Sequence, residues 1–267
     1  MKELSIKPEW PESWRVSHIY DKLEIWGDKS QLGYSYAYAN RLNIIIEKVK
    51  HYLPDIHSAN ILDIAAAQGN FSLKLAELGY NVTWNDIRGE LVDYVKLKYE
   101  KGNINYKVGN AFELGFENKF DAVIITEIIE HVAHPDNFLK QVAVMVKQGG
   151  YIFMTTPLGS YYSNKLPRFS ECSDPSIYEK NQFKPNCDGH IFLLYKEEIE
   201  KIASSIDLKI KFIDVYNNPL TEGHMKTNRL LQFIPKSLID FAEKISRKLP
   251  EKLRLKLHSN ICVVFKK

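Results

Sequence analysis

The sequence predicts an α/β fold, an open mixed sheet with helices on both faces, and three stretches carry that reading. Residues 60–87, NILDIAAAQGNFSLKLAELGYNVTWNDI, give a short apolar strand, a small-residue turn, a helix and a second strand. FDAVII at 120–125 is a strongly apolar strand with acids and histidines close behind it. ICVVF at 261–265 is a final strand. Strands alternating with helical segments build a sheet whose ligands bind beyond the carboxyl ends of the strands.

Residues 1–54 are expected to form an N-terminal cap and lead-in. Pro8 and Pro11 make the start irregular, aromatics from Trp10 to Tyr38 precede Arg41, and Leu42 to Leu53 reads as a helix feeding the first strand. Residues 55–267 form the core. Ile61 to Ile64 is its first strand, and Asn70 is the expected N-cap of a helix with Phe71, Leu73, Leu75 and Leu78 at helical spacing. Gly79 stops that helix, and the strand opened by Val82 ends at Asn85 and Asp86, where a carboxylate can accept from a ribose diol. Arg88 to Gly102 is a polar-faced helix with Leu91, Val95 and Tyr99 on one side, and Ile104 to Val108 is a third strand. Lys196 to Ile206 and Leu208 to Tyr216 add a helix and a strand. Two stretches interrupt the core, 158–190 and 218–259. The first is rich in Pro, Ser and Asn and is expected as a lid or binding loop; the second is partly helical.

At 267 residues, 45% apolar and 26% charged, the composition is that of a globular protein with one large domain. A net charge of +3 gives no reason to expect nucleic acid as a partner. Cys172, Cys187 and Cys262 follow no metal-binding spacing and fit a reducing, cytoplasmic setting, and the first residues contain no apolar signal segment.

The turn from Asp63 to Gly69, DIAAAQG, resembles the D-x-G-x-G-x-G cofactor motif of class I S-adenosylmethionine-dependent methyltransferases, with Ala65 and Ala67 replacing the first two glycines. Alanine resists positive φ and adds a methyl group facing the cofactor, a tolerable change if the turn stays at negative φ. The spacing does not match the G-x-G-x-x-G dinucleotide pattern, which argues against a nicotinamide cofactor. Further on, TEIIEHVAHP followed by KQGGYIFMTTP is similar to the family's E-H-V-x-x-P…K-P-G-G-x…T-x-P run, with Gln148 where proline is usual. Together the two motifs cover residues 55–157.

The resemblance, to bacterial small-molecule enzymes of this family, implies a Rossmann-like seven-stranded mixed sheet whose last strand inserts antiparallel between its two predecessors. It implies S-adenosylmethionine, with Asp86 on the ribose, Asn110 and Ala111 at the adenine, and Glu127 beside the donor. Backbone around Ala65, Ala67 and Gly69, with Phe71 next to it, would hold the methionine portion, and Asp63 would support the turn. Tyr34, Tyr36 and Arg41 are lid candidates.

Glu127, Glu130, His131 and His190 admit three readings. They are suitable ligands for a divalent metal that would acidify an acceptor hydroxyl; E-x-x-E-H with a later histidine looks like small-RNA 2′-O-methyltransferases, and the shorter E-x-x-E-H like ubiquinone-pathway O-methyltransferases. Alternatively His131 or His190 is a metal-free general base oriented by a carboxylate such as Glu130. In the third reading His131 caps the following helix and Glu130 makes a structural hydrogen bond. The expected activity is methyl transfer to a hydroxyl or amine of a small-molecule acceptor: a sugar, lipid-linked or natural-product intermediate. The alternatives are a metal-dependent RNA 2′-O-methyltransferase and a non-catalytic cofactor-binding or scaffold protein.

Residues 236–258 carry seven Lys/Arg against three Asp/Glu around an apolar stripe of Leu238, Ile239, Phe241, Ala242, Ile245 and Leu249. The stripe is expected to pack on its own domain or on a second copy in a homodimer, with peripheral contact to an anionic membrane as the alternative.

Overall fold

The computed structural model describes residues 1–182, 189–223 and 228–267. Two helices precede the sheet, α1 (Glu12–Glu24) and α2 (Leu32–Tyr52). Strands and helices then alternate through β1 (Asn60–Ile64), α3 (Asn70–Glu77), β2 (Asn81–Asp86), α4 (Leu91–Lys98), β3 (Asn103–Val108), β4 (Phe120–Thr126), α5 (Pro135–Met145) and β5 (Val146–Pro157). After the first insertion come α6 (Lys196–Ser205) and β6 (Lys209–Tyr216). The second insertion carries α7 (Asn228–Leu231), α8 (Lys236–Ser246) and α9 (Glu251–Leu257), and β7 (Asn260–Lys266) follows.

The seven strands run in the order β3-β2-β1-β4-β5-β7-β6. The first five are parallel, and β7 lies antiparallel between β5 and β6 as expected. One face of the sheet is covered by Ile44, Ile45 and Val49 of α2 and Phe71 and Leu75 of α3. The other is covered by Phe138, Leu139 and Val142 of α5 with Ile199 and Ile202 of α6. Among the described residues, no helix is long and apolar enough to cross a membrane.

Several elements differ from expectation. The N-terminal stretch is two helices, and α2 starts ten residues ahead of the expected Leu42. α4 ends at Lys98, and its buried face is Leu91, Tyr94, Val95 and Lys98, while Tyr99 is exposed. Lys98 can be buried because its ammonium reaches Asp21 and Asn70, each at 2.7 Å. The basic segment is two helices, because Pro250 cannot continue α8. Only part of its stripe packs on the domain: Ile239 is buried and Ala242 and Leu249 are half-buried, but Leu238, Phe241 and Ile245 face outward. Residues 183–188 of the first insertion, Cys187 among them, and 224–227 of the second lie outside the described residues. Cys172 and Cys262 are free thiols.

Candidate active site

The carboxyl ends of β1, β2 and β4 open onto a cavity of about 1020 Å³. The β1–α3 turn forms its floor, and here the alanines do what was not expected. Ala65 has φ 53° and Ala67 φ 47°, both left-handed. Hydrogen bonds hold the turn against its own preference: Ala66 N–H donates to Asn85 O, Ala67 N–H to Asp86 Oδ2 at 2.8 Å, and Trp84 Nε1 to Ala67 O. Gly69, not Asn70, is the N-cap of α3, at φ 73°; a Cβ there would lie 2.8 Å from Val95. Gly69 therefore shapes the turn without lining the cavity. The Asn70 side chain instead donates to Glu24 and accepts from Lys98.

Asp63 lies under this turn, buried, and accepts from the Ser72 hydroxyl at 2.6 Å, which ties β1 to α3. Burial pushes its carboxyl up to about 7, against the lowering pull of the Ser72 hydrogen bond. Asp86 ends β2 inside the cavity and accepts from the backbone of Ala67 and Arg88 and from the Arg88 guanidinium, all within 2.8–3.1 Å. A ribose diol would therefore replace the Arg88 side chain, which is half exposed, while the backbone donors stay in place. Asn110 and Ala111 line the same end. The Asn110 oxygen accepts from Phe112 N–H at 3.2 Å, leaving one lone pair for a ligand. Phe71 lines the cavity with its ring tilted against Tyr38 at 6.0 Å.

The opposite wall is charged. Glu127, itself at φ 53°, forms an ion pair with Arg41 at 3.1 Å. Its Oε1 and the Arg41 Nε are buried without a hydrogen-bond partner among the described residues. Glu24, from the end of α1, accepts from Gln68, Asn70 and Tyr34. Burial pushes its carboxyl up to about 7, opposed by Arg41. Among the lid candidates, Arg41 lines the cavity, Tyr34 reaches it only through Glu24, and Tyr36 faces away beneath Lys236. Sequence reading missed Glu24, Tyr38, Gln68 and Arg88. For Tyr38 a signal existed: with Tyr34 and Arg41 it makes an i, i+4, i+7 row on one helix face.

Next to this wall the structure gathers Glu130, His131 and His190, whose candidate ligand atoms all lie within 4.8 Å of one another. The two rings meet edge-on at 4.9 Å. His190 is brought in because Ile191 N–H donates to Glu130 O at 2.7 Å. Glu130 is fully buried, accepts from Thr156 Oγ1 at 3.0 Å and has a second oxygen without a partner. Burial, with the Glu127 charge next, raises its carboxyl well above the ordinary range. One carboxylate and two imidazoles can hold a zinc-like ion with a position left open for an acceptor oxygen. Glu127 is not in this cluster; its Oε2 serves both Arg41 and Asn260. His134 bonds Glu179 at 2.9 Å and is partly exposed.

Comparison with known proteins agrees with this architecture. A methyltransferase-domain family model matches residues 62–154. The chain is 30% identical over 180 residues to the ubiquinone biosynthesis O-methyltransferase of Shewanella pealeana, covering 66% of this chain and 74% of that protein. It is 33% identical over 118 residues to the enzyme of the same name from Rickettsia bellii, 43% of this chain; the match spans about half of that relative, 49%. The crystal structure of a SAM-dependent methyltransferase from Methanosarcina mazei superposes with a TM-score of 0.53 at 18% identity, covering 82% of this chain and 96% of that one, which establishes a common fold.

Proposed function

The chain belongs to the class I S-adenosylmethionine-dependent methyltransferase family, and we propose that it transfers a methyl group to a hydroxyl of a small, polyhydroxylated acceptor such as a sugar, lipid-linked or natural-product intermediate. The observation that carries this reading is the continuity of one cavity, from Asp86, Asn110 and the alanine turn at one end to Arg41, Glu127 and His131 at the other. The residues fit the donor: a small-residue turn with backbone exposed to the cavity, a carboxylate at the end of β2, and an amide beyond β3. Asp86 would hold the ribose, Asn110 and Ala111 the adenine, and the backbone of Ala65 and Ala67 beside Phe71 the methionine portion, with Asp63 beneath. When bound, the sulfonium supplies an electrophilic methyl group.

The protein's own task is to place an acceptor oxygen in line and take its proton. His131 reaches the cavity and can accept that proton, with the His190 ring packed edge-on against it at 4.9 Å; Glu130 makes its hydrogen bond to Thr156 and does not orient the ring. Glu127 and Arg41, side by side on the cavity wall, offer a carboxylate and a guanidinium to further hydroxyls, which supports a polyhydroxylated acceptor over an aromatic one. The clustering of Glu130, His131 and His190 favours one variant of this reading, in which those three hold a divalent ion that acidifies the acceptor hydroxyl.

Calorimetric titration with S-adenosylhomocysteine tests the donor site. Wild-type protein should bind, and Asp86→Ala should weaken binding on the order of 100-fold through loss of a charged hydrogen-bond acceptor. Absence of binding by the wild type would refute the reading. Zinc titration of His131→Ala and His190→Ala decides the metal variant: both should lose a binding event that the wild type shows.

A further inference from the structure

Helix α8 is mounted the wrong way round for a helix that serves only its own domain. Its inward face is largely polar. Glu243 accepts from the backbone N–H of Asn217 at 2.7 Å and of Asn218 at 2.9 Å and from Thr221 Oγ1 at 2.8 Å, and Ser246 bonds Asn218 Nδ2 at 3.0 Å. Ile239 is the one apolar side chain buried on this face. The outward face is apolar: Leu238, Phe241 and Ile245, at i, i+3 and i+7, are 56%, 59% and 48% exposed. Phe233, just ahead of the helix, is 83% exposed, and Leu230 and Leu253 in the neighbouring helices are also exposed. A contiguous outward row of large apolar side chains marks a contact surface.

The charges around the row identify its partner. The acids of the segment are all engaged: Glu243 points inward, Asp240 pairs with Lys236 at 2.7 Å, and Glu251 pairs with Lys196. Lys244 and Lys248 follow Phe241 and Ile245 by three residues, beside the row, and with Lys252 and Lys256 they have no acidic partner among the described residues. We propose that this face seats the protein on an anionic phospholipid bilayer, with Leu238, Phe241, Ile245 and Phe233 entering the acyl boundary and the lysines resting on the headgroups. A second copy would bring the same face, whose acids are already engaged, and so no free carboxylate for these lysines.

The location matters for function. The insertion leaves the sheet after Tyr216 and returns at Asn260, two residues that pair with each other. The Asn260 side chain lies 3.4 Å from Glu127 on the cavity wall. The bilayer face is thus rooted at the cavity end of the sheet, where it would bring a lipid-linked acceptor within reach. That last step rests on the methyl-transfer reading; the bilayer contact itself does not.

Vesicle co-sedimentation tests the contact without requiring turnover. The protein should bind phosphatidylcholine vesicles containing phosphatidylglycerol, should bind pure phosphatidylcholine far less, and should be released by high salt. Phe233→Ser with Phe241→Ser should weaken binding at least about tenfold, and Lys244→Glu with Lys248→Glu on the order of tenfold or more. Because these side chains are exposed, both variants should melt as the wild type does and bind S-adenosylhomocysteine unchanged. Three results would overturn the proposal: no binding to anionic vesicles, equal binding by wild type and both variants, or a wild-type dimer that Phe241→Ser converts to monomer.

Discussion

The two ends of the cavity are built on opposite principles. At the donor end polar groups are satisfied locally by backbone: Asp86 takes N–H groups from Ala67 and Arg88, and Asn110 takes one from Phe112. At the acceptor end the groups come from remote segments: Arg41 pairs with Glu127, and Glu24 accepts from the amides of Gln68 and Asn70. There some buried atoms have no partner among the described residues: Arg41 Nε, Glu127 Oε1 and Glu130 Oε1. A wall whose hydrogen bonds are complete is preorganised for one ligand shape. A wall held together by pairs between remote segments changes when those segments change, and that is where relatives sharing a donor can differ in acceptor.

The largest test of this contrast is the Arg41–Glu127 pair, whose side chains are 18% and 19% exposed. Arg41→Met leaves the Glu127 carboxylate buried without its partner and should cost about 3 kcal/mol in chemical unfolding. Arg41→Met with Glu127→Gln removes both charges and should recover a large part of that loss, a coupling measurable by a double-mutant cycle. If the two single losses simply add, the pair is not the unit that holds this wall. Donor affinity should change less than stability, since the donor end does not depend on the pair.

A second test concerns pH. The carboxyl of Asp63 is raised from 3.8 to about 7 by burial, so the folded chain holds this proton more tightly than the unfolded chain does. Stability from this group is therefore full at the lowest pH, falls as pH rises from about 4 to about 7 while the unfolded chain ionises first, and is level above that. Asp63→Asn keeps a hydrogen bond for Ser72 and should raise stability at pH 8 by on the order of 2 kcal/mol, with little change near pH 4. Glu24 is raised in the same direction, so the slope of the wild type should be reduced, not abolished. A variant whose unfolding free energy keeps the wild-type slope would place the titration elsewhere.

The same division explains what could be read in advance. Asp63, Ala65, Ala67, Asp86, Asn110 and Ala111 were picked out by the motif resemblance, and they lie at or just past strand ends, which show in the sequence as apolar runs stopping at polar residues. Glu24 was invisible because nothing local marks α1 as a helix aimed at the cavity: Pro11 precedes it, and its polar and apolar residues only sort once Tyr94 and Lys98 of α4 bury Asp21. His190 was legible as a chemical type, but its approach to His131 depends on contacts made across a long insertion, among them Ile191 N–H to Glu130 O and the packing of Ile191 and Phe192 on Ala133. The outward row on α8 was visible as periodicity; its direction was not, because Glu243 anchors the helix through backbone groups of another segment.

The smallest expected effect is the most local. Ala65 and Ala67 sit at φ 53° and 47°, where an L-residue with a Cβ is strained by about 1–2 kcal/mol. Glycine removes that strain but adds about 0.5–1 kcal/mol of unfolded-chain entropy. Ala65→Gly and Ala67→Gly should therefore each stabilise by roughly 0.5–1 kcal/mol, a rise in Tm of a few degrees at most for a chain of this size. The contrast is Gly69→Ala, which should lower Tm, because its Cβ would meet Val95 at 2.8 Å in addition to the strain at φ 73°. If both alanine replacements lower Tm instead, the methyl groups contribute packing that outweighs the backbone strain. In that case the alanines fill the turn, and the donor end owes its shape to side chains as well as to backbone.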